Sequence, residues 1–91
     1  MVLKEECTKL FLEAIVDTTE DIKKDALKME KGSLDKDFRN QVMIIARSYL
    51  KLGEKLLDKD GALHLANYLY FEFEKPISEY LGFAMPKMLP Y

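Results

Sequence analysis

The chain lacks tryptophan and has one cysteine, three prolines and four glycines among 91 residues. A single cysteine cannot form an internal disulfide, which favours a reducing compartment, so we expect a cytoplasmic protein. No stretch approaches the roughly 20 apolar residues of a transmembrane helix, and the acidic N-terminal region does not resemble a signal peptide. The net charge of -2 gives no bulk attraction to nucleic acid, so no nucleic-acid partner is expected.

What the chain does have is apolar residues at helical spacing. Hydrophobic residues make up 48% of it and charged residues 33%, which is typical of one folded domain. Apolar residues recur every three or four positions near the N-terminus and predict a helix over 3–31: Leu3, Cys7, Leu10, Phe11, Ala14, Ile15, Ile22, Ala26 and Met29. Two capping-box spacings, Asp17 with Glu20 and Thr18 with Asp21, leave open a second helix starting near residue 18. One continuous helix is favoured.

A second helix is predicted over 34–58, after Gly32. Ser33 and Asp35 are candidate N-caps, and Asp58 to Gly61 forms the closing turn. Six residues at alternating steps of four and three form a heptad seam: Phe38, Val42, Ile45, Tyr49, Leu52 and Leu56.

A third helix is predicted over 61–75, with Asp60 as its N-cap and an almost continuous apolar circumference. The alternation of aromatic and acidic residues over 68–74 also fits a strand, but a lone strand would lack a ladder partner, so the helix is preferred. Pro76 is expected to end this helix and to start a short fourth one over 76–81. The expected fold is all-α, a small antiparallel helical bundle over 1–82 followed by an extended apolar tail over 83–91.

The candidate chemical groups favour no enzyme, metal or cofactor, so a small metal-binding or enzymatic protein is the last of the alternative functions. Cys7 is expected on the core face as a small apolar residue, and His64 with Asp60 supplies fewer ligands than a zinc site needs. The turn from Asp58 to Gly61 lacks the first and last carboxylates of a calcium loop. Acidic pairs, including Glu72 with Glu74, are expected in solvated positions.

A basic stripe follows helix two at four-residue spacing: Arg47, Lys51 and Lys55. A solvated helix face is the preferred interpretation, and peripheral contact with anionic lipid is the alternative.

Aromatic and apolar residues are concentrated towards the C-terminus, where a small domain must cover them within itself or with a partner. We therefore expect a non-enzymatic protein–protein interaction module, either a homo-oligomer or an accessory subunit. The predicted partner-binding residues are Tyr68, Tyr70, Phe71, Phe83, Met85, Met88, Leu89 and Tyr91. Docking of the tail on its own chain and docking on a partner both remain open.

Two segments between residues 46 and 75 resemble a known family. The run from Ala46 to Lys55 (ARSYLKLGEK), an acidic turn, and the run from Leu65 to Phe71 (LANYLYF) are similar to the middle of enterocin A-type bacteriocin immunity proteins. That resemblance implies a cytoplasmic four-helix bundle that protects the producer cell, with the tail from Phe83 to Tyr91 as its recognition segment. Family members usually continue with a long final helix, whereas this sequence runs about sixteen residues beyond Lys75.

Overall fold

The computed structural model describes the backbone of residues 2–83 and the side chains of residues 5–83. This part of the chain is almost entirely helical and contains no strand, which confirms the all-α prediction. The elements are α1 (Val2–Leu27), α2 (Lys36–Leu56), α3 (Lys59–Tyr68), a π-helical segment (Leu69–Glu74) and α4 (Lys75–Leu81). The predictions made for Met85, Met88, Leu89 and Tyr91 lie outside the described residues.

Helix α1 is one continuous helix, so the second start near residue 18 is not used. The hydroxyl of Thr19 is buried and donates back to the carbonyl of Ile15 at 2.8 Å. A hydroxyl bonded to the preceding turn leaves the helix ladder intact, whereas a capping box would start a new helix. The helix ends at Leu27, four residues before the predicted end at residue 31.

Helix α2 begins at the predicted cap, where the side chain of Asp35 accepts a hydrogen bond from the amide of Phe38 at 3.0 Å. Its buried face differs from the predicted heptad seam. The fully buried positions are Val42, Ala46, Leu50 and Gly53. The last two seam residues, Leu52 and Leu56, are exposed. A heptad pattern identifies an apolar stripe but does not show how much of that stripe a neighbouring helix covers.

Helix α3 begins two residues earlier than predicted. Asp58, rather than Asp60, is the N-cap, and its carboxylate accepts a hydrogen bond from the amide of Gly61 at 2.7 Å. The close approach of α3 to α2 depends on Gly53, because a Cβ at that position would collide with a methyl group of Leu65.

The π-helical segment follows α3 without a break, and α4 continues directly from it. The backbone stays in the right-handed helical region at Tyr68, Leu69, Glu74 and Lys75. Pro76 therefore does not interrupt the helical run: it occupies the first turn of α4, where its missing N–H costs little. The predicted boundary between a third and a fourth helix is thus a change of helix type.

The packing of the core explains why the chain forms wider π-helical turns in this segment. Five large apolar residues recur at a strict four-residue interval, and all of them are buried: Leu65, Leu69, Phe73, Ile77 and Leu81. In an α-helix of about 3.6 residues per turn, this spacing would rotate the last residue roughly 160° away from the first. A π segment needs more residues for each turn, so it brings the late members of the series back towards the core.

The loop between α1 and α2 is bound to the end of α4. The amides of Gly32 and Leu34 donate to the carbonyls of Tyr80 and Leu81, at 2.8 and 3.0 Å. The hydroxyl of Tyr80 in turn donates to the carbonyl of Met29 at 2.8 Å. To make these bonds Leu34 adopts a φ of 56°, a left-handed conformation that is uncommon for a leucine. We name residues 28–35 the latch loop.

The helices do not contact one another equally. Helix α1 packs mainly on α4, whereas α2 packs mainly on α3 and the π segment, and direct contact between α1 and α2 is smaller. The core therefore lies around α3, the π segment and α4, which together form the third helical run, and α1 contributes Ile15 and Ala26 to it.

Few described side chains in the N-terminal half of α1 are buried. Cys7 and Leu10, expected on the core face, are exposed, with 63% of Leu10 accessible.

Candidate functional site

Glu74 is the most unusual group in the interior. Its side chain is fully buried, and neither carboxylate oxygen has a hydrogen-bond partner. Burial raises the pKa of Glu74 to about 7, while the nearby charge of Arg47 acts in the opposite direction. The prediction that Glu74 is solvated is therefore wrong. The alternation of acidic and aromatic residues suggests one exposed face, but the π segment turns Phe73 and Glu74 inward together.

Two arginines of α2, Arg39 and Arg47, are half-buried. Arg47 donates through Nη1 to the carbonyl of Met43 at 3.3 Å and forms no ion pair with Glu74. The guanidinium of Arg39 lies 5.6 Å from the ring centre of Phe83, and its Nε is buried without a partner. A single carboxyl group near a cation with which it forms no ion pair can hold or release a proton.

The other candidate chemical groups are dispersed. Within the described residues, no three His, Cys, Asp or Glu side chains are close enough together to hold a metal ion. Cys7 is an exposed thiol, which corrects the expectation that it faces the core. His64 is exposed on α3, as expected of a helix residue near an N-cap. Of the basic stripe, Lys51 and Lys55 are exposed, whereas Arg47 is half-buried.

An apolar groove separates α1 from α3 near the turn between α2 and α3. Its volume is about 290 Å³, and it is lined by Leu12, Ile15, Val16, Leu57, Gly61, His64, Leu65 and Tyr68. Leu12 and Val16 are 38% and 44% exposed at its edge. The polar atoms at the groove come from His64 and Tyr68. The hydroxyl of Tyr68 is already engaged, 2.9 Å from the hydroxyl of Thr19.

The predicted partner-binding aromatics are divided between the interior and the surface. Tyr68 is half-buried and joined to α1, and Phe83 is half-buried against the core. Tyr70 packs its ring edge-on against Phe71, with centres 5.0 Å apart. Phe71 is 43% exposed and lies 5.6 Å from the ammonium of Lys75. Of the predicted residues within the described range, Phe71 is therefore the one with the largest accessible apolar surface.

A second apolar surface, which sequence reasoning missed, lies on α1 and α2. Two residues, Thr19 and Lys23, mark the direction of the third helical run on α1. The hydroxyl of Thr19 hydrogen-bonds with that of Tyr68, and the ammonium of Lys23 donates to the carbonyl of Glu72 at 2.9 Å. Since successive α-helical residues are about 100° apart, Cys7, Leu10 and Ala14 lie roughly 140° or more from that direction. All three are exposed.

The exposed leucines of α2 also point away from the third helical run. Leu50 and Gly53 mark the direction of α3, because Leu50 lines a pocket with Ala62 and Leu63 and a Cβ on Gly53 would meet Leu65. Leu52 and Leu56 lie roughly 90° or more from that direction and are 47% and 39% exposed. We name the surface formed by Cys7, Leu10, Ala14, Leu52 and Leu56 the α1/α2 face.

The two edges of the α1/α2 face carry opposite charges. Six acidic residues and one lysine lie between residues 5 and 21 of α1. By the helical period, the exposed Glu6 and Asp17 lie beyond Leu10, on the side opposite to Cys7. On α2, the exposed Lys51 and Lys55 lie beyond Leu52, on the side opposite to Leu56. The face is therefore apolar along its middle, acidic on one side and basic on the other.

Comparison of the chain with models of known families, with curated proteins and with solved structures finds no match. None of the helices in the described range is both long and apolar enough to span a membrane.

Proposed function

We propose that this protein is a non-enzymatic helical interaction module, a small antiparallel bundle that works as a homo-oligomer or as an accessory subunit of a larger assembly. The observation that carries this proposal is the α1/α2 face. Leu10, Leu52 and Leu56 expose 63%, 47% and 39% of their surface, and all three point away from the third helical run. Exposed apolar side chains flanked by charged residues are typical of protein–protein contact sites.

The distribution of polar groups supports the same function. The one strongly perturbed acid, Glu74, is sealed inside the fold, where no substrate reaches it. The accessible groups, Cys7 and His64, lie on different helices and do not form a metal cluster with other described residues. Within the described range, then, the accessible surface offers apolar contact area and charge, which are the components of a binding interface.

Site-specific photo-crosslinking in the cell that makes the protein tests the proposal. A photoreactive phenylalanine analogue would replace Leu52, with Phe71 as a second position and the exposed Lys36 as the matched control. We expect covalent protein adducts from Leu52 and none from Lys36, because crosslinking at a given position requires a partner within contact distance. If neither Leu52 nor Phe71 gives an adduct with any protein, including a second copy of the chain, the interaction function is wrong.

A further inference from the structure

We propose that the partner on the α1/α2 face is a second copy of this chain, docked with its two-fold axis parallel to the helices so that α1 of each protomer lies on α2 of the other. This inference rests on the proposed function and names the partner for it. It is based on two properties of the face: its middle is apolar, and its acidic edge is complementary in charge to its basic edge.

The charges distinguish between two ways of pairing the face with itself. A two-fold axis across the helices would place α1 on α1, and the acidic edges marked by Glu6 and Asp17 would meet each other. An axis along the helices exchanges left and right, so each acidic edge meets a basic edge marked by Lys51 and Lys55. Like charges brought together across an interface are strongly unfavourable, so the second arrangement is selected.

Helix direction supports the same arrangement. Helices α1 and α2 run in opposite directions, because the short latch loop joins them and the end of α4 is bound to it. With the axis along the helices, α1 of one protomer and α2 of the other are therefore antiparallel neighbours. The N-terminal half of α1, which has few covering contacts from the described residues, then lies beside the C-terminal half of the partner's α2. These are the two halves that carry Leu10, Leu52 and Leu56.

The expected affinity is modest. The apolar part of the face has three leucines with one small residue and one cysteine, which is less than the core of a large obligate interface. We expect a dissociation constant on the order of 10 µM at low salt. Because the paired charges are at the rim, raising the salt to about 0.5 M should weaken association several-fold.

Charge reversal with complementation tests the arrangement, read by analytical ultracentrifugation of the full-length protein. One variant carries Lys51→Glu with Lys55→Glu, and the other carries Glu6→Lys with Asp17→Lys. Each alone places like charges along both contacts, so its dissociation constant should rise by roughly 100-fold or more. In an equimolar mixture every contact is again acidic on basic, and a heterodimer should form with an affinity within about tenfold of the original protein.

The matched control carries Lys31→Glu with Lys36→Glu, the same change of charge at exposed positions within the latch loop and directly after it, and should dimerise like the original protein. Far-UV circular dichroism checks that all variants remain helical, and dimerisation of the mixture independently shows that both are folded. Two dissociated variants that do not combine on mixing would overturn the α1-on-α2 arrangement. A dimer unaffected by both reversals would show that another surface mediates self-association.

The failure of this inference is distinguishable from failure of the interaction function. The highest concentration measured should be about 0.5 mM, which is about 50 times the expected dissociation constant. If the original protein is still monomeric at that concentration, a second copy is not the partner. An adduct between Leu52 and a different protein would then leave the proposed function standing. The absence of any adduct would remove both.

Discussion

The buried carboxyl group of Glu74 makes the stability of this protein depend on pH. In the unfolded chain its pKa is near 4.5, and burial in the folded protein raises the pKa to about 7. The folded state therefore binds more protons than the unfolded state between these two values, and the free energy of unfolding falls as the pH rises through this range. A difference of about 2.5 pKa units corresponds to about 3 kcal/mol, fully present below pH 4.5 and lost above pH 7.

Glu74→Gln isolates this contribution, because glutamine keeps the shape of the side chain and cannot ionise. We expect the two proteins to have similar free energies of unfolding near pH 4.5. At pH 8 the variant should be more stable by about 3 kcal/mol, because the original protein must then bury a charged carboxylate without a hydrogen bond. Urea denaturation followed by circular dichroism, repeated from pH 4.5 to pH 8, measures the difference.

The neighbouring residue provides the control. Glu72 is exposed, so Glu72→Gln should leave the pH dependence of the original protein unchanged. If the original protein and Glu74→Gln lose stability in parallel over this range, or if the original protein becomes more stable towards pH 8, the argument from burial is refuted. Arg47→Gln extends the test: its cation opposes the shift, so its removal should raise the pKa of Glu74 further and move the loss of stability to higher pH.

Three further substitutions test the packing. Gly53→Ala should lower the free energy of unfolding by about 1 to 3 kcal/mol in urea denaturation, since its methyl group collides with Leu65; a stabilised variant would show that α2 and α3 separate without cost. Tyr68→Phe should cost about 0.5 to 1.5 kcal/mol by removing its bond to Thr19, and an unchanged melting temperature would contradict this. Leu34→Asn should gain about 0.5 to 1 kcal/mol, because asparagine tolerates a φ of 56°, and any loss measured by thermal melting would show that the leucine side chain contributes more than its backbone conformation costs.

The sequence predicts the existence of the helices, because apolar spacing and capping are local, but it predicts their ends less well: α1 ends four residues early and Asp58 replaces Asp60 as the cap of α3. Asp35 is the N-cap of α2 as expected, since its side chain accepts a hydrogen bond from an amide three residues away. The π segment is not predicted, because an almost continuous apolar circumference does not distinguish a π segment from an α-helix. The strict repetition from Leu65 to Leu81 is a signal that could have revealed it.

The candidate site was less predictable, because it depends on which helix covers which face. An exposed Leu52 and a buried Gly53 are adjacent in the chain, and only the position of Leu65 explains why the glycine is the covered residue. For the same reason an acidic residue between aromatics gave no indication that Glu74 is sealed inside. Local patterns define stripes of similar residues, and tertiary packing determines which stripes remain in contact with water.

The latch loop has a consequence for engineering the chain. Connections between helices usually accept inserted residues, because they contribute little to the rest of the structure. Here the connection supplies the hydrogen bonds that close the far end of α4, so lengthening it near Gly32 or Leu34 would release a helix almost fifty residues further along the chain.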